Sequence, residues 1–192
     1  MLLAIGLLFA GVAAYALGVA LRPPPQLAGT ALQNPPSLVD LRLVRGDGEE
    51  VVLGDALGGR TTLVFFGFTR CPDVCPLTLA RLARLYDDLG RPDGLQVAMI
   101  TVDPEHDRPE LLERYVRAFH EEFLAFGGSN TQIATAARAF YVGYAGIGTE
   151  SFTHTDVVAV LDRSASLRYV YSQSNLVHLP ADLPVILAQA GF

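Results

Sequence analysis

The stretch Thr61-Thr62-Leu63-Val64-Phe65-Phe66-Gly67-Phe68-Thr69-Arg70-Cys71-Pro72-Asp73-Val74-Cys75-Pro76 holds both cysteines of a 192-residue chain. Residues 61–68 are an uncharged run of β-branched and aromatic side chains, the composition of a strand buried on both faces. From Pro76 onward, Leu79, Leu82, Ala83 and Tyr86 recur at helical spacing until Gly90 stops them. The two thiols therefore fall at a strand-to-helix junction. First-turn N–H groups and the helix dipole favour a thiolate there, so reactive sulfur is expected at both positions.

Outward from this stretch the chain alternates. Upstream, residues 38–44 and 49–53 flank the turn sequence Arg45-Gly46-Asp47-Gly48 and predict a β-hairpin. Downstream, residues 95–102 (LQVAMITV) predict a second buried strand that ends at Asp103-Pro104. Asp107 and Glu110 have the spacing of a capping box and Pro109 suits a first turn. A helix burying Leu111, Leu112, Tyr115, Val116 and Phe119 should follow. Residues 123–126 read as a short strand and residues 127–130 as a loop and cap. A helix from residue 131 to about 144 should turn Ile133, Ala137, Phe140, Tyr141 and Tyr144 inward. Residues 155–161 and 167–171 predict a hairpin about residues 162–165, and a last helix, capped by Asp182, runs through Val185-Ile186-Leu187. Such alternation closed by an antiparallel pair predicts an α/β protein: a mixed central sheet flanked by helices, thioredoxin-like, with an N-terminal β-hairpin.

Residues 1–21 carry no charged side chain and as a helix would reach roughly 32 Å at about 1.5 Å per residue. That predicts a transmembrane anchor. The rival reading is a cleaved signal peptide, for which Ala14-Tyr15-Ala16 offers a small-x-small site, but the positive n-region is missing and the apolar run is long. Residues 22–37 read as a Pro-rich linker and residues 38–192 as one domain. A chain that is 51% hydrophobic can bury one full core. The net charge of −6, with 14 scattered arginines and no lysine, excludes the concentrated basic face that nucleic acid requires. Two cysteines are too few for a disulfide framework at this size, so they suggest a redox or metal pair.

Cys71 and Cys75 stand one helical turn apart, so both sulfurs can converge on one point. The spacing suits a shared soft metal ion and still permits a disulfide. Two thiolates select Cu(I), zinc or iron–sulfur, and an added imidazole is typical of copper or zinc. Structural zinc takes four protein ligands, and no second cysteine pair exists to complete that set. Of the four histidines, His154 is the first candidate for a third ligand. It lies in the polar segment 149–155 (TESFTHT), directly before an apolar strand. His106, in the loop after Asp103-Pro104, is a weaker candidate near the same rim. His120 suits a helix C-terminus and His178 a late loop.

Four blocks carry a resemblance: TTLVFFGFTRCPDVCPLTL (61–79), ITVDPEHDRPELLERYVRAF (100–119), GGSNTQIATAARAFYVGY (127–144) and FTHTDVVAVLD (152–162). Together they resemble the Sco/SenC family of copper-binding cytochrome c oxidase assembly proteins, over residues 38 to 171 approximately. The resemblance implies that copper, as Cu(I) with Cu(II) as a second state, is bound by Cys71, Cys75 and His154. It implies a role for Asp73 in tuning the site or meeting a partner, against the plain alternative of a turn and cap residue. Asp103 and Asp107 match the second block and are expected to close a loop and cap a helix, with an outer role at the site. Thr153 departs from the family's usual acidic residue before the histidine, so the orientation or basicity of His154 is expected to differ. The turn at 162–165 also lacks the family's frequent Pro-Gly.

Two functions follow from the resemblance. One is a membrane-tethered copper chaperone, not an enzyme, serving the binuclear copper site of cytochrome c oxidase. It would sit on the periplasmic side of a bacterial inner membrane as a single-pass protein. Its partners would be the oxidase's copper-site subunit and an upstream periplasmic copper chaperone or thiol reductase. The other is a thiol–disulfide oxidoreductase keeping the oxidase's copper-site cysteines reduced, with Cys71 and Cys75 as its redox-active pair. Residues 143–161 contain no proline where such reductases carry one facing the dithiol, and His154 stands in that stretch, which favours metal. A thiol peroxidase fits poorly, because no proline lies between Arg60 and Cys71.

Overall fold

The computed structural model describes residues 26–35, 38, 40–145, 153–189 and 191–192. In chain order these form β1 (Thr30–Ala31), β2 (Arg42–Arg45), β3 (Glu50–Val52), α1 (Leu53–Leu57), β4 (Thr61–Gly67) and α2 (Val74–Asp88). Then come β5 (Leu95–Thr101), α3 (Pro109–Arg117), β6 (Leu124–Gly127), α4 (Asn130–Ala139), β7 (Tyr144–Ala145) and β8 (Thr153–His154). The chain closes with β9 (Val157–Leu161), β10 (Leu167–Ser172), a 3₁₀ turn at Leu176–His178 and α5 (Leu179–Leu187).

Every residue of β4, β5 and β9 is buried, which is why these strands read as continuous apolar runs rather than alternating ones. They form the middle of an eight-stranded sheet ordered β1-β10-β9-β4-β5-β6-β2-β3. β4, β5 and β6 are parallel, while β9 runs antiparallel to β4 and β2 antiparallel to β6. Strand alternation sorts the side chains into two layers. Leu63, Phe65, Val97, Met99, Val158 and Val160 face one layer, with Leu79 and Leu82 of α2, Leu112 and Val116 of α3, and Leu183 and Ile186 of α5. Val64, Phe66, Ala98, Ile100, Ala159 and Leu161 face the other, under α1 and α4. A mixed sheet flanked by helices is thus the arrangement the sequence predicts.

Several elements depart from expectation for identifiable reasons. Residues 53–57 form a helix instead of ending a strand, because Leu53 and Leu57, one turn apart, both bury into the second layer. Residues 26–35, expected to belong to a spacer, lie partly against the domain. β1 pairs with β10, and Ala28 N–H donates to Asp182 Oδ2 at 2.7 Å. Asp182 therefore does not cap α5. It sits in that helix's first turn and accepts from Ala28 and from Tyr171 Oη at 2.8 Å. Helix α4 opens on a capping box of Ser129 and Gln132 and stops sooner than predicted. Tyr141 enters the left-handed region at φ 59°, ending the helix and leaving its ring exposed rather than inward. The predicted anchor at residues 1–21 lies outside the described residues. Among the described residues, no helix is long and apolar enough to cross a membrane.

Candidate metal centre

The sheet's polarity brings the candidate residues to one edge. β4 and β5 are parallel, so the loops leaving them, with Cys71 after one and Asp103, His106 and Asp107 after the other, emerge side by side. β9 is antiparallel to β4, so its beginning lies at the same edge. His154 stands two residues short of adjoining β9, with Thr155 and Asp156 between, and is placed by its backbone, paired with Tyr144 in the β7–β8 ribbon as Thr153 pairs with Ala145. That ribbon is closed by the Thr155 N–H to Gly143 carbonyl bond at 2.7 Å. The side chains of His154 and Thr153 lie outside the described part.

The cysteines are free thiols in unlike settings: Cys71 is half-buried, Cys75 fully buried in the first turn of α2. The N–H of Cys75 donates to Cys71 Sγ at 3.4 Å, which ties the two together and aims a positive dipole at the outer sulfur. Gly67 makes room for the inner one. A Cβ on Gly67 would lie 3.0 Å from Cys75 Sγ, 2.6 Å from the Phe65 ring and 3.1 Å from Met99 Cε. At Cys75 burial opposes the thiolate that the helix start favours. Burial, then its hydrogen bond with Cys71, then the negative charges of Cys71 and Asp156, push this thiol well up from its ordinary value. The helix terminus does not overcome desolvation there.

The loops around the pair are tied by two carboxylates. Asp107 was expected to cap α3, but Arg108 holds the N-cap position and receives no side-chain bond. Asp107 instead accepts from Thr69 N–H at 3.0 Å, from Thr69 Oγ1, and from Thr101 Oγ1 at 2.6 Å. It thereby locks the segment before Cys71 to the end of β5. Burial raises its pKa against the opposing effect of those bonds. Asp103, 3% exposed in its side chain, pairs with Arg70 Nη2 at 2.8 Å and with His106 Nδ1 at 2.8 Å. Burial opposes its charge, yet the bonds from His106 and Arg70 hold its carboxyl below the usual range. Asp103 thus clamps Arg70, the residue next to Cys71. His106 reaches the same rim, also within 2.8 Å of Arg70 Nη2. Asp73 occupies the N-cap position of α2 without making a side-chain capping bond.

Two of the histidines have other surroundings. His120 is buried against Tyr86, with ring centroids 5.0 Å apart, and its Nε2 lies 3.5 Å from Asp87 Oδ1. His178 is exposed at the end of the 3₁₀ turn.

Three residues that the sequence reading gave no site role surround the pair. Arg70 directly precedes Cys71 and is engaged by Asp103. Asp156, on the strand side of His154, has both carboxylate oxygens shielded from solvent and its charge is felt at Cys75. Tyr115 of α3 was expected only as core. Its hydroxyl is buried and finds no hydrogen-bond partner among the described residues. The two linked sulfurs are donors suited to a soft cation.

Comparison with known proteins shows the family to which this fold belongs. A family model described as SCO1/SenC matches residues 32–179, more than half the chain. The chain belongs to the SCO1/SenC family. Among solved Sco structures, apo Sco1 of Thermus thermophilus is 38% identical with a TM-score of 0.71, covering 84% of this chain and 97% of that one. Copper-bound ScoI of Arabidopsis thaliana is 30% identical with a TM-score of 0.69, covering 76% of this chain and 94% of that one. A SCO2-like protein of Rickettsia prowazekii is 36% identical over 104 residues, 53% of this chain and 50% of that protein. The chain thus matches about half the length of that relative. The mixed sheet described above is the thioredoxin-like fold of the Sco proteins.

Proposed function

We propose that this Sco protein is a copper chaperone that holds one copper ion as cargo through Cys71, Cys75 and His154 and delivers it to the binuclear copper site of cytochrome c oxidase. The observation that carries the reading is the pair of linked thiols at the edge of the sheet where the segment bearing His154 also arrives. A relative of the same fold has been solved with copper bound, which supports copper as the cargo. Thiolates and imidazole suit Cu(I), and a Cu(II) state is compatible with the anionic neighbours. A half-buried sulfur at a rim allows stepwise ligand exchange with a partner. In this reading residues 1–21 anchor the protein in a bacterial inner membrane, the domain faces the periplasm, and an upstream copper donor or thiol reductase loads or resets the site.

A second reading rests on the unequal exposure of the thiols. Cys71 can attack a partner disulfide, releasing one partner thiol. Cys75 then attacks Cys71, releasing the second thiol and leaving a Cys71–Cys75 disulfide, a two-electron reduction of the partner. Copper titration of the reduced full chain in detergent separates the two. The chaperone reading expects one ion per chain, lost in Cys71→Ser and Cys75→Ser and weakened in His154→Ala. Normal copper binding in His154→Ala together with rapid wild-type reduction of a small disulfide would favour the oxidoreductase.

A further inference from the structure

Among the described residues the exposed large apolar side chains are Val74 at 36%, Leu77 at 47%, Tyr141 at 59% and Val177 at 74%. Three of them gather about helix α2. Val74, Leu77, Arg81 and Arg84 recur at helical spacing and are all exposed, so they form one stripe opposite the buried side of that helix. The stripe is about 15 Å long at roughly 1.5 Å per residue, and it starts at Val74, between the two cysteines. Its far end borders a groove of about 380 Å³, walled by Arg81, Leu82 and Arg84 of α2 and by Leu176, Val177 and Pro180 across from them. The groove is built in. Gln173 Nε2 donates to Thr78 Oγ1 at 3.1 Å, which pins the chain ahead of the 3₁₀ turn to α2, and Leu82, Leu176 and Leu179 are buried beneath. Val74 and Leu77 add nothing to the core, and a β-branched residue is a weak helix former, so α2 itself does not require them there.

Charge decides what fits this surface. The chain carries a net charge of −6, yet between Asp73 at one end of the stripe and Asp88 at the other its exposed charges are Arg81 and Arg84. Arg84 lies 3.6 Å from Asp88, an exposed pair that holds it only weakly. Arg81 enters no ion pair among the described residues. We propose that the stripe and groove are the docking surface for a copper-exchanging partner protein, one that presents an apolar side chain beside carboxylates. The apolar side chain enters the groove against Val177 and Pro180, and the carboxylates meet Arg81 and Arg84. Leu77 and Val74 continue the contact toward Cys71 and Cys75. A concave groove takes a projecting side chain, which a flat lipid surface does not supply, so the occupant is a protein. Arginines at such a rim speed the encounter with an acidic surface, and a small apolar contact leaves release fast.

The identity of the partner rests on the chaperone reading, and the test separates the two claims. Reduced full-length protein in detergent, with and without Cu(I), is titrated with the metal-free copper-site subunit of cytochrome c oxidase at low and high salt. Wild type, Arg81→Glu and Val177→Ser are compared. Both side chains are exposed and neither belongs to the copper site, so thermal unfolding and Cu(I) affinity should match wild type. Association at low salt should weaken about tenfold in each variant, and Arg81→Glu should lose most of the salt dependence. Unchanged association in both variants, or no association of wild type, would overturn the proposal. Binding to phosphatidylcholine–phosphatidylglycerol vesicles that drops in the variants while subunit binding does not would also overturn it, making lipid the occupant. A wild type that takes up no copper yet binds the subunit in an Arg81- and Val177-dependent way would contradict the chaperone reading and support the docking surface.

Discussion

At the scale of single residues, the centre depends on where volume is withheld. Gly67 ends β4 without a side chain, and Cys75 Sγ occupies the space a methyl group would take. Gly67→Ala should therefore destabilise the metal-free protein by about 1–3 kcal/mol through overpacking, measured by denaturant unfolding, and weaken copper binding as well. Unchanged copper affinity would show that Cys75 can move aside. This constraint was only partly legible beforehand. The sequence marks Cys71 and Cys75 as a pair by their spacing, but a glycine in a strand carries no label saying what lies beside it. The burial that opposes a thiolate at Cys75 was hidden for a related reason: the helix start is visible in the sequence, whereas the depth at which it is buried is set by the Phe65, Met99 and Leu79 layer. Tyr115 read as core for the same cause, since helical periodicity tells which face is inward but not what the hydroxyl meets.

At the scale of elements, two aspartates hold the loops that leave β4 and β5. Asp103 engages both Arg70 and His106, and its carboxyl is held below the usual range. A depressed carboxyl contributes stability above its unfolded-state value, near 3.9, and loses it as pH falls through the lower folded value. Wild type should thus exceed Asp103→Asn in stability at pH 7, with the gap closing below about pH 4. A gap that persists into acid would mean that shape rather than charge carries the contact. The spacing of Asp107 and Glu110 suggested a local cap, yet Asp107 bonds 38 residues away to Thr69. A capping pattern is a local signal, and a long-range acceptor with three better donors outcompetes it. The strands were easier to read, because burial on both faces leaves an uninterrupted apolar run that few other structures tolerate.

At the scale of the molecule, the sheet extends further than the sequence pattern suggested. Strand β1 is two residues long and lies in a stretch of small and polar residues, so no periodicity announces it. It nevertheless completes the edge beside β10. Leu32 N–H donates to Arg168 O at 2.9 Å, Asn175 Nδ2 donates to Ala28 O at 2.8 Å, and Gly29 lies flat against the buried Tyr171 ring. Removing residues 26–35 should lower stability by roughly 2 kcal/mol, the sum of a few such bonds at 0.5–1.5 kcal/mol each, seen as an earlier thermal transition. No shift would mean that this segment merely rests on the surface. The edge of the sheet that carries the cysteines is remote in sequence from this strand but shares β9 and β10 with it through the sheet order.

The central claim is that two sulfurs and one imidazole hold copper at that edge. X-ray absorption at the copper edge of the loaded, reduced full-length protein tests it most directly. The account predicts two sulfur neighbours and one nitrogen neighbour, with the nitrogen lost in His154→Ala and both sulfurs required for binding. A first shell without sulfur, or a nitrogen that survives His154→Ala, would contradict it.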